Sequence, residues 1–112
     1  MLSRSAKAAL LDILHHIELA ETFSSGLDQT SFRTDLKTLY GVTRCLEIIS
    51  EASRRVPDDV KVRHPHIAWR QMAGAGNIYR HDYEDVAADL VWETLQRALP
   101  PLKTAAQTEL AT

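Results

Sequence analysis

The sequence predicts an all-α, up-and-down helical bundle, and three observations carry that prediction. Ala, Leu, Glu and Arg are plentiful, β-branched runs are absent and aromatics are 6% of the chain, a balance that favours helix almost throughout. Apolar residues recur at three- and four-residue spacings over long stretches. Short turn-forming segments separate those stretches, so sequential helices are expected to run antiparallel.

The first periodic segment sets Ala6, Leu10, Ile13, Leu14 and Ile17 on one stripe, predicting a helix from about Ser5 to Phe23 that Ser24, Ser25 and Gly26 stop. A second helix is expected from Ser31, a good N-cap, with Asp35 in its early turns where the helix dipole favours an acid. Phe32, Leu36, Leu39, Leu46, Ile49 and Val56 make it the longest, and Gly41 within it implies close packing against a neighbour. Pro57 ends it and opens a short turn through Asp58, Asp59 and Val60. After Pro65 a third main helix is expected from His66 to Arg80 or His81. The acids Asp82, Glu84, Asp85 and Asp89 then gather where a fourth helix would start, running from Asp85 to Leu99 and closed by Pro100-Pro101. Residues 1–102 thus read as one helical-bundle domain and residues 103–112 as a frayed C-terminal tail. Leu90, Val91, Thr94 and Ala98 mark one face of the last helix, while Trp92, Leu95, Leu99 and Leu102 mark another. So wide an apolar arc belongs either to a central helix or to a homodimer interface.

Composition narrows the function. A chain of 112 residues is one ordinary domain, and 13 Lys plus Arg against 15 Asp plus Glu argue against a broad polyanion-coating surface while leaving room for a local basic patch. The lone Cys45 precludes an internal disulfide and fits a reducing compartment. His15, His16 and Glu18 stand where a secretory signal needs an apolar run, and no stretch approaches the ~18 to 20 apolar residues of a membrane span, so a cytoplasmic protein without a membrane partner is expected.

The informative stretch is Trp69 to Tyr83, WRQMAGAGNIYRHDY. At about 100° per residue, Trp69, Met72, Gly76, Tyr79 and Tyr83 share a packing face, and Arg70, Gly74, Asn77 and His81 share its neighbour. From Lys61 to His81 there are four Lys or Arg, three of the five histidines and no acid, a basic patch inside an acidic chain. Such a patch is the footprint of an anion or nucleic-acid backbone site. A histidine moves protons near neutrality and a guanidinium holds phosphate, which is the pairing RNA cleavage needs.

At these residues the chain resembles the HepT-like branch of the HEPN superfamily, small helical bacterial toxins paired with a minimal nucleotidyltransferase antitoxin. The resemblance covers about Leu36 to Leu102 and rests on RCLEIISEASRRVP (Arg44 to Pro57), HPHIAWRQMAGAGNIYRHDY (His64 to Tyr83) and DVAADLVWETLQRALPPL (Asp85 to Leu102). It implies a four- to five-helix HEPN-like bundle that dimerises, with the motif of each subunit facing a shared cleft. It also implies a metal-independent, cofactor-free ribonuclease whose motif runs Arg, Asn, a short spacer, His, any residue, Tyr. Asn77, His81 and Tyr83 match, but Gly76 stands where the arginine belongs. By that resemblance His81 is the acid or base, Asn77 holds the geometry, and Tyr83 is where the partner attaches AMP.

Two arginines could stand in for the missing one. Arg80 lies one turn from Asn77 and reaches the cleft if the helix ends nearby; otherwise it pairs with Glu84 or Asp82. Arg70 shares the face of His81 but sits eleven residues back, about 16 Å along the axis, so it would act only from a dimer mate. Arg44, Glu47 and Glu51 have the spacing of an intrahelical charge ladder; the alternative is that Glu51 faces the motif helix and orients His81 or an arginine. His15-His16 and His64-Pro-His66 lack metal-ligand partners and read as surface histidines. Gly74 and Gly76 fit close helix packing better than a phosphate loop, and Cys45 fits the core. Two functions follow: a toxin ribonuclease silenced by AMP transfer to Tyr83 or by complex formation, or a subunit that binds a nucleotidyltransferase, RNA or nucleotide without cutting it.

Overall fold

The computed structural model describes residues 2–81 and 84–112, with the side chains of residues 77–81 and 84–87 outside the description. All the regular structure described is helical: α1 (Arg4–Ser24), α2 (Gln29–Thr34), α3 (Leu36–Arg54), α4 (Asp58–Arg63), α5 (Trp69–His81), α6 (Glu84–Glu93), a π-helical turn (Thr94–Ala98) and α7 (Leu99–Leu110). The expected HEPN-like all-α bundle is the architecture observed.

Local chemistry sets the boundaries. Ser3 caps α1 by accepting from the Ala6 N–H at 3.1 Å. Gly26, with φ of 81°, supplies the left-handed turn after it. The single helix expected from Ser31 is two. Asp28 caps α2 and Ser31 is its N3 partner in a capping box, while Asp35 caps α3 by accepting from the Thr38 N–H at 3.1 Å. Asp35 therefore ends one helix and starts the next. The short helix after Pro57 forms as expected, with Asp58 and Asp59 at its positive end and Lys61 and Arg63 at its negative end. The motif helix begins at Trp69 rather than His66, because the Trp69 indole N–H donates to the His64 carbonyl at 3.1 Å and holds the intervening residues in a turn.

The core runs along the whole bundle. Ile13, Ile17, Phe32, Val42 and Ile49 are fully buried where α1, α2 and α3 meet. The Arg55–Asp12 ion pair (2.9 Å) ties the end of α3 to the early part of α1. At the other end Gly41 faces Phe23: a Cβ there would meet the ring at 3.2 Å, which is the close approach its glycine implied. These two contacts fix α1 and α3 as antiparallel.

The C-terminal third differs from expectation. Pro100-Pro101 do not close the last helix, and residues 103–112 are not frayed: α7 carries the chain to Leu110 with Ala105, Ala106 and Glu109 buried. Prolines inside a helix lack an N–H and clash with the carbonyl four residues earlier. The wider turn before them absorbs that conflict, with the Leu99 N–H bonding the Thr94 carbonyl five residues back. Much of the wide apolar arc packs within the chain, with Val91, Leu95, Leu99 and Leu102 buried and Trp92 on Phe32 at 5.2 Å between ring centroids, while Leu90 on the first face is exposed.

α7 is fastened by a buried carboxylate. Glu109 accepts from the Arg63 Nη2–H at 2.7 Å and the Nε–H at 3.2 Å, and its Oε2 stands 2.7 Å from the His64 Nε2. His64, expected at the surface, is buried beside it, while His66 is exposed. The Arg63 guanidinium, aided by His64, holds the Glu109 carboxyl down to about 2 against its burial. Replacing Glu109 with Ala leaves Arg63 and His64 facing an empty buried site, and urea unfolding near neutral pH should read a loss on the order of 3 kcal/mol. Protonation reaches the unfolded carboxyl first, at its ordinary 4.5, so the stability gap between wild type and variant should shrink as pH falls from there towards about 2. A gap that is flat across that range contradicts the assignment.

Candidate functional site

The motif helix α5 is positioned by α3, through two polar side chains, Ser50 and Arg54. Ser50 sits on the buried stripe of α3, a polar residue among Leu46, Ile49 and Ala52. Its hydroxyl donates to the Ala73 carbonyl at 2.8 Å and accepts from the Gly76 N–H at 3.3 Å. Neither group is left unsatisfied, so the buried hydroxyl carries no desolvation penalty. Arg54, one turn on, donates to the same Ala73 carbonyl from Nε at 3.1 Å and Nη2 at 2.8 Å. One carbonyl of α5, a single turn before Asn77, is thus gripped by three donors from α3.

This close approach explains the residue at position 76. A Cβ built on Gly76 would lie 3.3 Å from the Ser50 Oγ and 4.0 Å from the Glu47 Cα. A motif arginine here would start its side chain inside the helix–helix contact, not towards a cleft. Gly74 has nothing within 4 Å of its would-be Cβ, so only one of the two glycines is required by packing.

The other expected residues divide. Asn77, Arg80 and His81 fall on the last turns of α5, with side chains outside the described residues, and Tyr83 is outside them altogether. Arg70 is exposed on the first turn of α5. Glu51 is exposed and pairs at 3.7 Å with Arg54 and at 3.8 Å with Arg55, while Arg44 pairs with Glu47 at 3.8 Å. Of the expected ladder the Arg44–Glu47 rung is present, whereas Glu51 pairs with Arg54 and Arg55 and through Arg54 bears on the backbone of the motif helix. Cys45 is buried and burial pushes its thiol up, the opposite of an activated nucleophile. Among the described residues no group of three His, Cys, Asp or Glu side chains gathers as a metal site, and no helix is long and apolar enough to cross a membrane. An apolar groove of about 150 Å³ between α5 and the π turn, lined by Gln71, Met72, Ala75 and Thr94 among others, offers no acid–base group.

Sequence reasoning passed over Ser50 and Arg54. The signal for Ser50 was there: a small polar residue interrupting an apolar stripe, in a chain whose motif helix carries two glycines at i, i+2.

Comparison with known proteins bears on the chemistry. A family model described as "Ribonuclease HepT-like" matches residues 13–109. "Probable ribonuclease HepT" of Thermococcus cleftensis is 41% identical over 102 residues, covering 91% of this chain and 93% of that protein. "Putative RNase MJ0125" of Methanocaldococcus jannaschii is 35% identical over 103 residues, covering 92% of this chain and 89% of that protein. No solved structure matches the chain.

The Ser50–Gly76 contact has a measurable consequence. Gly→Ala inside a helix ordinarily gains about 1 kcal/mol. Here Ser50 is held by two hydrogen bonds and cannot retreat, so Gly76→Ala should destabilise by about 1 kcal/mol or more. In a Ser50→Ala background the same change should become neutral or favourable, and thermal unfolding of the four proteins reads the coupling. Additive effects would show that the two helices do not meet here.

Proposed function

The chain belongs to the HepT-like ribonuclease family, and on that premise we propose that it is a HEPN-type ribonuclease acting as the toxin of a toxin–antitoxin module, with a nucleotidyltransferase as its antitoxin. The observation that carries the reading is the family match over residues 13–109, which includes the whole motif helix. The working unit is a homodimer in which the two motif helices face one cleft, and the substrate is RNA.

In this reading His81 exchanges a proton with the 2′-hydroxyl or the leaving oxygen, and the absence of a metal requirement follows from that division of labour. Asn77 holds the local geometry. Arg80 carries positive charge to the phosphorane, where one preorganised contact is commonly worth 10²-fold or more. Arg70, at the far end of α5, contributes only across a dimer. Glu51 supports the site indirectly, by pairing with the arginine that grips Ala73.

Silencing works through Tyr83 or through complex formation alone. An AMP group on that phenol sets a bulky anion two residues from His81, repelling and occluding an RNA phosphate. The second reading, a non-catalytic subunit that binds the nucleotidyltransferase, RNA or nucleotide, is favoured by one observation: Gly76 in place of the motif arginine.

Purified chain should cleave RNA in EDTA, and His81→Ala should abolish cleavage while leaving the helical circular dichroism unchanged. Loss in Arg80→Ala as well assigns the charge to Arg80; cleavage surviving there removes that assignment and keeps the enzyme. No cleavage by unmodified wild type turns the assignment to the binding subunit. Mass spectrometry after co-expression with the nucleotidyltransferase should find AMP on Tyr83, and AMP elsewhere or nowhere overturns that acceptor.

A further inference from the structure

The contacts between α3 and α5 fix a register that brings one more cation to the site. Ala73 meets Ser50 and Arg54, whereas Gly76, one turn later, meets Ser50 and Glu47. The two helices therefore run antiparallel, and each step towards the C-terminus of α5 moves towards the N-terminus of α3. Six residues back from Ser50 is Arg44, and the same six-residue step, about 9 Å, leads from the middle of this contact to Arg80 and His81. Arg44 also lies one turn from Glu47 on the flank of α3 that Gly76 approaches.

The state of its guanidinium fits the position. The side chain is 68% exposed, and Glu47 stands 3.8 Å away, a long i, i+3 ion pair that solvent screens. Other arginines are committed or misplaced. Arg33, Arg55 and Arg63 hold carboxylates at 2.7 to 2.9 Å, and Arg54 is spent on the Ala73 carbonyl. Arg70 and Arg97 lie towards the other end of α5, Arg97 lining a surface groove with Gln71. Arg44 can be drawn to an anion at little cost and stands level with the motif histidine.

We infer that Arg44 is a phosphate-binding residue of this site, reaching from α3 to the RNA backbone beside the scissile phosphate that Arg80 meets from α5, and so adding a second guanidinium to a site whose position 76 carries none. The inference rests on the ribonuclease reading for its substrate, but the experiment separates the two. Full-length wild type, Arg44→Ala, Arg44→Lys and Arg4→Ala are compared, the last removing an exposed arginine at the start of α1, near the opposite end of the bundle. Each is assayed for cleavage of a single-stranded oligoribonucleotide in EDTA and for binding of its non-cleavable 2′-O-methyl analogue across a KCl series. Arg44→Ala should lower kcat/KM at least tenfold and reduce the slope of log K against log salt by about 0.7, the value for one phosphate contact on a single strand. Arg44→Lys should recover part of the cleavage and the full slope, and Arg4→Ala should change neither. Arg44→Ala behaving like Arg4→Ala in both assays overturns the inference while leaving the ribonuclease intact. If wild type binds but does not cleave, the ribonuclease reading falls and the salt slope alone decides Arg44: a loss of about 0.7 upholds it and an unchanged slope overturns it. Absence of both binding and cleavage overturns both.

Discussion

The approach of α3 to α5 at Gly76 governs the rest of the site. With a would-be Cβ only 3.3 Å from the Ser50 hydroxyl, the two helix backbones come as near as a side chain–backbone hydrogen bond permits. That distance lets a single serine bridge a carbonyl and an amide of the same helix, one turn apart. It also lets Arg54 reach Ala73 from the rim. The motif helix is thus registered against α3 by directional bonds in addition to apolar contact, which has no preferred register of its own. What stands at the C-terminal end of α5 inherits that register.

The far side of the bundle is held by a different device. α7 buries Leu99 and Leu102 at its start, but beyond them its buried apolar residues are the small Ala105 and Ala106, so its last turns gain little from side-chain burial alone. A buried carboxylate fully engaged by Arg63 and His64 compensates by specifying where its last turn docks. A charge so placed is weak evidence of net stabilisation but strong evidence of specificity, because any other docking leaves it unpaired. The π turn ahead of Pro100 and Pro101 serves the same end, letting one rod of helix continue past two residues that would otherwise break it.

Periodicity made the helices legible, and the Gly41–Phe23 approach was legible from the glycine itself. What was not legible follows a pattern. Asp35 was read as an acid in an early helical turn, because a side chain that can cap and one that can favour the dipole look alike in a sequence; the Thr38 contact decides between them. The last eleven residues lacked large apolar side chains beyond Leu102 and Leu110 and followed two prolines, so no local feature announced a docked helix. His64 looked like a surface histidine because its partner, Glu109, is 45 residues away in the chain. At the site, the family motif gave Asn77, His81 and Tyr83, while Ser50 and Arg54 acquire their meaning only from the pairing of α3 with α5.

The same pairing changes how the motif itself is weighed. A missing arginine normally counts as a missing catalytic charge, and a sequence comparison confined to the motif would score Gly76 as decay. In this bundle position 76 is a contact residue, and the Cβ of an arginine there would press on Ser50. Loss of the side chain at 76 and loss of charge at the site are therefore separate matters. The first goes with the close α3–α5 approach; the second depends on which other guanidinium stands level with His81. A cation on the neighbouring helix can supply charge to a phosphate as one on α5 would, since the phosphate responds to the field at its oxygens and not to the helix that supplies it, and what a loosely held cation gives up is preorganisation.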